Sequence, residues 1–118
     1  MDRIVVRHRS GSTAGRIQEF EVRPGMALTI GRDPASDISL HPYDDSVVSR
    51  QHARIIVHAN RVIWLELIDG DSRNGTFLNE RWIRGRVGLV PGDRIRLGWD
   101  GPELELDLES PTPGPPAA

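Results

Sequence analysis

The sequence predicts an all-β fold, a β-sandwich or barrel built from many short strands. Apolar and polar residues alternate with a period of two in several segments, which directs one set of side chains into a core and the other into water. Turn-forming residues interrupt these segments at short intervals, and no window of a dozen residues has the periodicity of an amphipathic helix. The chain has 118 residues, about the length of one domain.

Each segment of alternating apolar and polar residues predicts one strand. The alternating segments are residues 18–22, 53–57, 94–97 and 104–108. Residues 62–68 are more continuously apolar, as expected of a central strand. Pro, Gly, Asn and Asp occur between these segments and favour turns through their backbone preferences. The turn signals are Pro24-Gly25, Asp33-Pro34, Asn60, Asp69-Gly70, Asn74-Gly75, Gly85, Pro91-Gly92-Asp93 and Asp100-Gly101-Pro102.

Composition excludes several classes of protein. The formal net charge is −2, so bulk charge does not favour binding to nucleic acid or to an acidic membrane. The chain has no cysteine, which excludes disulfides, thiolate nucleophiles and cysteine metal sites. No apolar segment approaches the roughly 20 residues of a membrane span, and the N-terminal segment is too short and too charged for a secretion signal. We therefore expect a cytoplasmic protein.

The chain divides into a folded body and a tail. Residues 1–109 contain the alternating segments, and we expect them to form one domain. Residues 110–118 read Ser-Pro-Thr-Pro-Gly-Pro-Pro-Ala-Ala, a composition typical of a disordered tail or a linker.

Four polar clusters lie in predicted turns. They are Gly31-Arg32, residues 49–52, residues 72–76, and Asn79. Loops at one end of a sandwich form a single surface, so these clusters predict a shallow cup rich in hydrogen-bond donors. All fifteen basic residues are arginine, so any cationic site is built from guanidinium groups, which bind phosphate bidentately.

The order and spacing of the motifs resemble the forkhead-associated (FHA) domain family over about residues 3–108. The resemblance implies a β-sandwich of about eleven strands in two twisted sheets, with recognition loops at one end. It implies a module that binds phosphothreonine in a partner protein, catalyses nothing and needs no cofactor or metal. The motifs are Gly31-Arg32, Asp37-Ile38-x-Leu40, Ser49-Arg50-x-His52-Ala53, Leu67-x-Asp69, Ser72-x-Asn74-Gly75-Thr76-x-x-Asn79 and Leu89-x-x-Gly92-Asp93-x-Ile95-x-Leu97-Gly98.

The resemblance also implies roles for individual residues of the cup. Arg32 corresponds to the family arginine that binds the phosphate, and Ser49 to the hydroxyl that donates to a phosphate oxygen. Arg73 stands where the family often has a side chain that reaches the phosphate. Asn74 corresponds to the amide that holds the ligand backbone just after the phosphothreonine. Arg50 flanks the same cup and is expected to contact phosphate or ligand backbone.

A second set of residues is expected to support the cup. Gly31 and Gly75 are expected to provide special backbone conformations. His52 and Asn79 are expected to fix loops through hydrogen bonds. The cup suits its ligand, because phosphothreonine carries about −1.5 to −2 charges and three acceptor oxygens.

The segment between Leu40 and Ser49 is slightly longer than is usual in the family. Its residues Asp44 and Asp45 would repel an acidic ligand, so one hypothesis is that this loop selects Lys or Arg near the phosphothreonine. The alternative is a solvated acidic loop without selectivity.

Three other functions can be considered for this sequence. Trp82 and Trp99 are candidate contacts for docking an unphosphorylated partner through a side face. Ser49, His52 and Asp69 have the residue types of a hydrolase triad, but no Gly-x-Ser-x-Gly motif accompanies them. A metal site has no ligand spacing to support it. The histidines considered for that metal site are His8, His41, His52 and His58.

Overall fold

The computed structural model describes residues 2–41, 45, 47–68 and 74–109, and this part of the chain is almost entirely β-structure. A three-residue 3₁₀ turn, Ala59–Arg61, is its one helical element. The strands are β1 (Asp2–His8), β2 (Ile17–Val22), β3 (Ala27–Gly31), β4 (Ile38–Ser39), β5 (Ala53–Val57), β6 (Ile63–Leu67), β7 (Thr76–Leu78), β8 (Arg81–Trp82), β9 (Arg86–Leu89), β10 (Arg94–Leu97) and β11 (Glu103–Glu109).

The strands form two sheets. The six-stranded sheet has the order β2-β1-β11-β10-β7-β8, and the five-stranded sheet has the order β4-β3-β5-β6-β9. Neighbouring strands are antiparallel, except for the parallel pair β3 and β4. This confirms the predicted sandwich and its strand number. No helix within the described ranges is long and apolar enough to cross a membrane.

The core lies between the two sheets and follows the alternation in the sequence. In β5, Ala53, Ile55 and Val57 are buried, whereas Arg54 is exposed and pairs with Glu66 on β6. The other strands contribute in the same way. The most deeply buried apolar side chains include Ile4, Val6, Ile30, Ile38, Ile55, Leu65, Ile95, Leu97, Leu104 and Leu106.

Strand direction places several loops at one end of the sandwich. Gly31 ends β3, Ala53 begins β5, and the registers pair Ile30 with Ala53 and Ala53 with Leu67. In the other sheet, Leu97 at the end of β10 pairs with Thr76 at the start of β7. The loops that follow β3, precede β5, precede β7 and follow β10 are therefore neighbours, and we call this the loop end.

Candidate functional site

The loop after β3 is fastened to the segment before β5. The amide N–H of Arg32 donates to the carbonyl of Ser49 at 3.1 Å, and that of Asp33 donates to the carbonyl of Arg50 at 3.1 Å. The guanidinium Nε of Arg32 donates to the carbonyl of Val48. These bonds bring Arg32, Ser49 and Arg50 together; Arg50 is exposed and Arg32 half-buried, whereas Ser49 is only 9% exposed.

Gly31 permits this close approach. A Cβ atom added at Gly31 would lie 1.9 Å from the carbonyl oxygen of Arg50, far inside van der Waals contact. Because that oxygen belongs to the backbone, a larger residue could fit only if one of the two loops moved. Gly31 thus sets the distance between the two loops.

His52 is fully buried and links the loop end to the opposite sheet. Its Nδ1 accepts a hydrogen bond from the amide N–H of Ser49 at 3.0 Å, so the ring proton lies on Nε2. Nε2 then donates to the hydroxyl of Thr76, 2.7 Å away on β7. The backbone of Ser49 is consequently held on both sides, by His52 through its N–H and by Arg32 through its carbonyl.

Asn74 lies two residues before β7, on the six-stranded side of the loop end. Its side-chain Nδ2 donates to the carbonyl of Val47 at 3.0 Å. Gly75 follows with φ of +82°, a conformation that favours glycine, and its carbonyl accepts from the amide of Gly98 at 2.9 Å. The segments around Val47, Asn74 and Gly98 are therefore joined.

A cleft adjoins Arg50 on the other side of the loop end. It is lined by Asp33, Arg50, Gln51 and Ile68 and has a volume of about 430 Å³. The loop end thus presents polar backbone and arginine side chains beside open space, which is the form of a surface that receives an extended chain rather than of an enclosed substrate pocket.

Comparison with known proteins decides the family. The family profile described as FHA domain matches residues 28–98, more than half of the chain and all of the loops just described. The chain belongs to the FHA domain family. FHA domains are non-enzymatic protein-interaction modules. The resemblance inferred from the ordered motifs is thereby confirmed.

Solved structures support the same assignment. An FHA domain from work on phosphothreonine-dependent FHA domain interactions is 30% identical, with 92% of this chain and 98% of that chain covered and a TM-score of 0.70. The FhaA FHA domain, solved in complex with the intracellular domain of Rv3910, is 28% identical, with coverages of 87% and 98% and a TM-score of 0.66.

EmbR from Mycobacterium tuberculosis, in complex with a low affinity phosphopeptide, is also similar. It is 28% identical, with a TM-score of 0.70, and 95% of this chain matches 26% of that longer one. No curated protein matches this chain in sequence.

The FHA loop end brings together most of the residues that the sequence singled out. Arg32, Ser49, Arg50 and Asn74 lie there, supported by Gly31, His52 and Gly75 as described above. Arg73 lies outside the described residues.

Asn79 lies elsewhere, at the far end of β7, about 10 Å along the strand from Thr76. Its Nδ2 donates to Asp93 at 2.9 Å, and its Oδ1 accepts from the amide of Arg94 at 3.0 Å. Asn79 fixes the turn after β7 to the turn before β10, so its hydrogen bonds act at the end of the FHA domain opposite the cup.

Asp45 differs from the sequence-based hypothesis of an exposed acidic loop. It is buried, and its carboxylate accepts hydrogen bonds from the hydroxyl of Ser12 at 2.6 Å and the amide of His41 at 2.9 Å. Because these bonds hold the carboxylate inside the FHA domain, Asp45 is a loop-fixing residue and does not supply surface charge. Asp44 lies outside the described residues.

Thr76 is the supporting residue to which sequence reasoning assigned no role. The signal was present, because Thr76 occupies an inward position in a strand and a buried hydroxyl needs a partner. Its partner, His52, is 24 residues away in sequence. Only the pairing of the strands brings the two together.

The alternative chemistries find no matching geometry. The two ring nitrogens of His52 are directed to the backbone of Ser49 and to Thr76, and Asp69 lies outside the described residues. His8 is buried between Thr13 and Gln18, and this burial lowers the pKa of its imidazole. Within the described part of the chain, no three His, Asp or Glu side chains are grouped as a metal site requires.

Proposed function

We propose that this FHA domain binds phosphothreonine in a partner protein through the cup at its loop end. The observation that carries the proposal is the fastening of Arg32 and Asp33 to the carbonyls of residues 48–50. It holds two arginines and a serine side by side on a rigid backbone, which lowers the entropy lost when a ligand binds.

The chemistry of the cup suits a phosphate dianion. Arg32 supplies a cationic guanidinium, and the hydroxyl of Ser49 is the proposed donor to a second phosphate oxygen. Arg73 is proposed as a further cation. Charge-assisted hydrogen bonds contribute roughly 1.5–3 kcal/mol each. After the loss of ligand entropy, three or four of them correspond to roughly micromolar affinity.

The remaining residues of the cup are proposed to hold the ligand backbone. Asn74 is proposed to hold the residue just after the phosphothreonine, from the six-stranded side of the loop end. Arg50, which is exposed beside Ser49, is proposed to contact phosphate or ligand backbone from the other side. Backbone contacts add affinity without sequence preference, so ligand selectivity depends on surfaces outside the cup.

The relatives support this proposal. EmbR has been solved with a phosphopeptide, and another FHA domain at 30% identity was studied for phosphothreonine-dependent interactions. Both cover more than nine-tenths of this chain.

Fluorescence polarisation with three peptides that differ only at one residue tests the proposal. We expect the phosphothreonine peptide to bind, the phosphoserine peptide to bind more weakly, and the threonine peptide not to bind. Arg32→Ala should weaken phosphothreonine binding at least about tenfold, since one charge-assisted bond of about 1.5 kcal/mol corresponds to tenfold.

Arg54→Ala is the matched control, because Arg54 is an exposed arginine that pairs with Glu66 on the outer face of the five-stranded sheet. Arg32 also contacts the carbonyl of Val48, so circular dichroism of each variant must show an intact fold. Full-affinity binding of a partner by a folded Arg32→Ala variant would contradict the proposal and favour docking through a side face.

A further inference from the structure

Two tryptophans are exposed beside the cup. Trp82 on β8 is 56% exposed and Trp99 in the loop after β10 is 67% exposed. The ring centroids of Trp82 and Trp99 lie 6.4 Å apart, and Trp99 stands edge-on to Phe77 at 5.0 Å. We call Phe77, Trp82 and Trp99 the aromatic patch. Exposed aromatic surface of this kind commonly marks an interaction site.

The aromatic patch lies on the outer face of the six-stranded sheet. Thr76 and Leu78 face inward, so Phe77 between them faces outward, and it pairs with Trp82 across β7 and β8. Phe77 is nevertheless only 4% exposed, because Trp99 and the guanidinium of Arg96 cover it. Trp99 therefore covers Phe77 with one edge, while most of its surface remains exposed.

The aromatic patch is continuous with the cup. A Cβ atom added at Gly75, the residue after Asn74, would lie 3.8 Å from the indole nitrogen of Trp82. Gly98, the residue before Trp99, donates its amide to the carbonyl of Gly75 at 2.9 Å. Gly75, directly after Asn74, thus contacts both segments that carry the tryptophans.

This arrangement gives a direction to the ligand. Arg32 and Ser49 belong to loops of the five-stranded sheet, whereas Asn74 precedes a strand of the six-stranded sheet. A ligand that runs from the phosphate residues past Asn74 continues onto the aromatic patch. The patch itself extends 6.4 Å from Trp99 to Trp82 and a further 5.1 Å from Trp82 to Arg84. An extended chain advances about 3.3 Å per residue, so a ligand held at Asn74 crosses the patch about three to five residues farther along its chain.

Charge at the edge of the aromatic patch restricts the chemistry of the ligand further. The guanidinium of Arg84 lies 5.1 Å from the ring centre of Trp82. Arg84 has no acidic partner among the described residues, whereas Arg96 is bound by both carboxylate oxygens of Glu80 at 2.8 Å. Arg84 can therefore pair with an acidic residue of the ligand.

We propose that the aromatic patch is a second contact for the same phosphorylated chain, about four to six residues after the phosphothreonine. It takes a large apolar or aromatic side chain next to an acidic residue. The inference rests on the proposed function, because the phosphothreonine sets the register and direction of the ligand. Buried tryptophan and arginine contacts dominate many protein interfaces, so this surface determines ligand selectivity.

Two phosphothreonine peptides of equal length test the inference. One carries Leu-Glu at positions five and six after the phosphothreonine, and the other carries Ala-Gly there. We expect the Leu-Glu peptide to bind about tenfold more tightly, and Trp82→Ala or Arg84→Glu to remove that difference while leaving the Ala-Gly peptide unaffected.

Ile17→Ala is the matched control, because Ile17 is a 62% exposed hydrophobic residue on β2, at the other edge of the same sheet. Trp82 is the first choice for substitution, since removal of Trp99 would uncover Phe77. Trp99→Phe offers a second variant that retains an aromatic cover.

Tryptophan fluorescence gives an independent readout. The one other tryptophan, Trp64, lies on the outer face of the five-stranded sheet beneath Arg86. In a Trp64→Phe variant, the Leu-Glu peptide should shift the emission to shorter wavelength, because it removes water from the patch. Equal affinities for the two peptides with no emission shift would overturn this inference and leave phosphothreonine binding intact. Loss of all binding in the unmodified domain would instead refute the proposed function.

Discussion

At the scale of the residue, the loop end depends on buried polar groups that satisfy one another. His52 and Thr76 are both fully buried, and each would be costly in the core without its partner. Their bond connects the backbone of Ser49, on the loop before β5, to a strand of the opposite sheet. A change at Thr76, which has no proposed contact with the ligand, should therefore affect both stability and the position of Ser49.

Thr76→Val tests this connection. Valine has nearly the shape of threonine but cannot accept the hydrogen bond from the Nε2–H of His52, so the free energy of unfolding should fall by about 1–3 kcal/mol. Urea denaturation measures the loss. Thr76→Ser retains the hydroxyl, and NMR of this control should still place the His52 ring proton on Nε2. An unchanged urea midpoint for Thr76→Val would show that the bond does not hold the loop.

At the scale of the element, two hairpin turns determine how their strands pair. Asn60 and Arg61 are the two central residues of the turn between β5 and β6, which the amide of Val62 closes on the carbonyl of Ala59 at 3.3 Å, and Asn79 and Glu80 join β7 to β8. All four have positive φ values, between 50° and 71°, as two-residue turns of the right twist require. Asparagine tolerates this conformation, but arginine and glutamate adopt it at an energetic cost.

Arg61→Gly should relieve that cost. Glycine adopts φ of 64° without strain. The relief of strain should outweigh the extra entropy of the unfolded chain, so the free energy of unfolding should rise by about 0.5–1 kcal/mol. The contact of Arg61 with Asp2 is 4.0 Å long and solvent-exposed, so its loss should be negligible. Thermal unfolding measures the increase. Arg61→Ala serves as control and should give no gain, since alanine is strained at the same φ.

Elements could be predicted from the sequence where alternation extended over four residues or more. Residues 53–57 and 94–97 are strands as predicted, and Asn60 lies in a turn. The strands β4 and β8 contain two residues each, too few to show a period. Their existence depends on pairing with β3 and β7, which sequence alone does not reveal.

The candidate site was predictable in part, for a related reason. The ordered motifs located Arg32, Ser49 and Asn74 at one end of the fold. The motifs did not reveal the burial of Asp45, because its partners are the side chain of Ser12, 33 residues earlier, and a backbone amide. An acidic residue in a polar loop has the same local pattern whether it faces water or a buried hydroxyl.

At the scale of the whole molecule, the first and last strands lie side by side. β1 is between β2 and β11, and Arg3 pairs with Glu109 across the two strands. The guanidinium of Arg3 lies 3.9 Å from the carboxylate of Glu109. Because β1 runs toward the loop end and β11 away from it, this pair lies at the opposite end of the sandwich.

Arg3→Cys combined with Glu109→Cys should form a disulfide between the two strands. The chain has no other cysteine, so a single product is expected. A bridge that closes a loop of roughly 100 residues stabilises the folded state by up to about 4 kcal/mol. Urea denaturation with and without reductant measures the effect. Arg3→Cys with Asp107→Cys is the control, since it is two residues out of register; equally efficient oxidation there would contradict the pairing.

The pairing of β1 with β11 determines how the domain can be joined to other polypeptide in a larger protein. Polypeptide fused before residue 2 and after residue 109 would leave from one spot, on the side remote from Arg32. The domain could then be inserted into a loop of another protein with little change in the path of the host chain. The host protein would not obstruct the cup. Ligand binding by the inserted domain would therefore be governed by tether length and effective concentration.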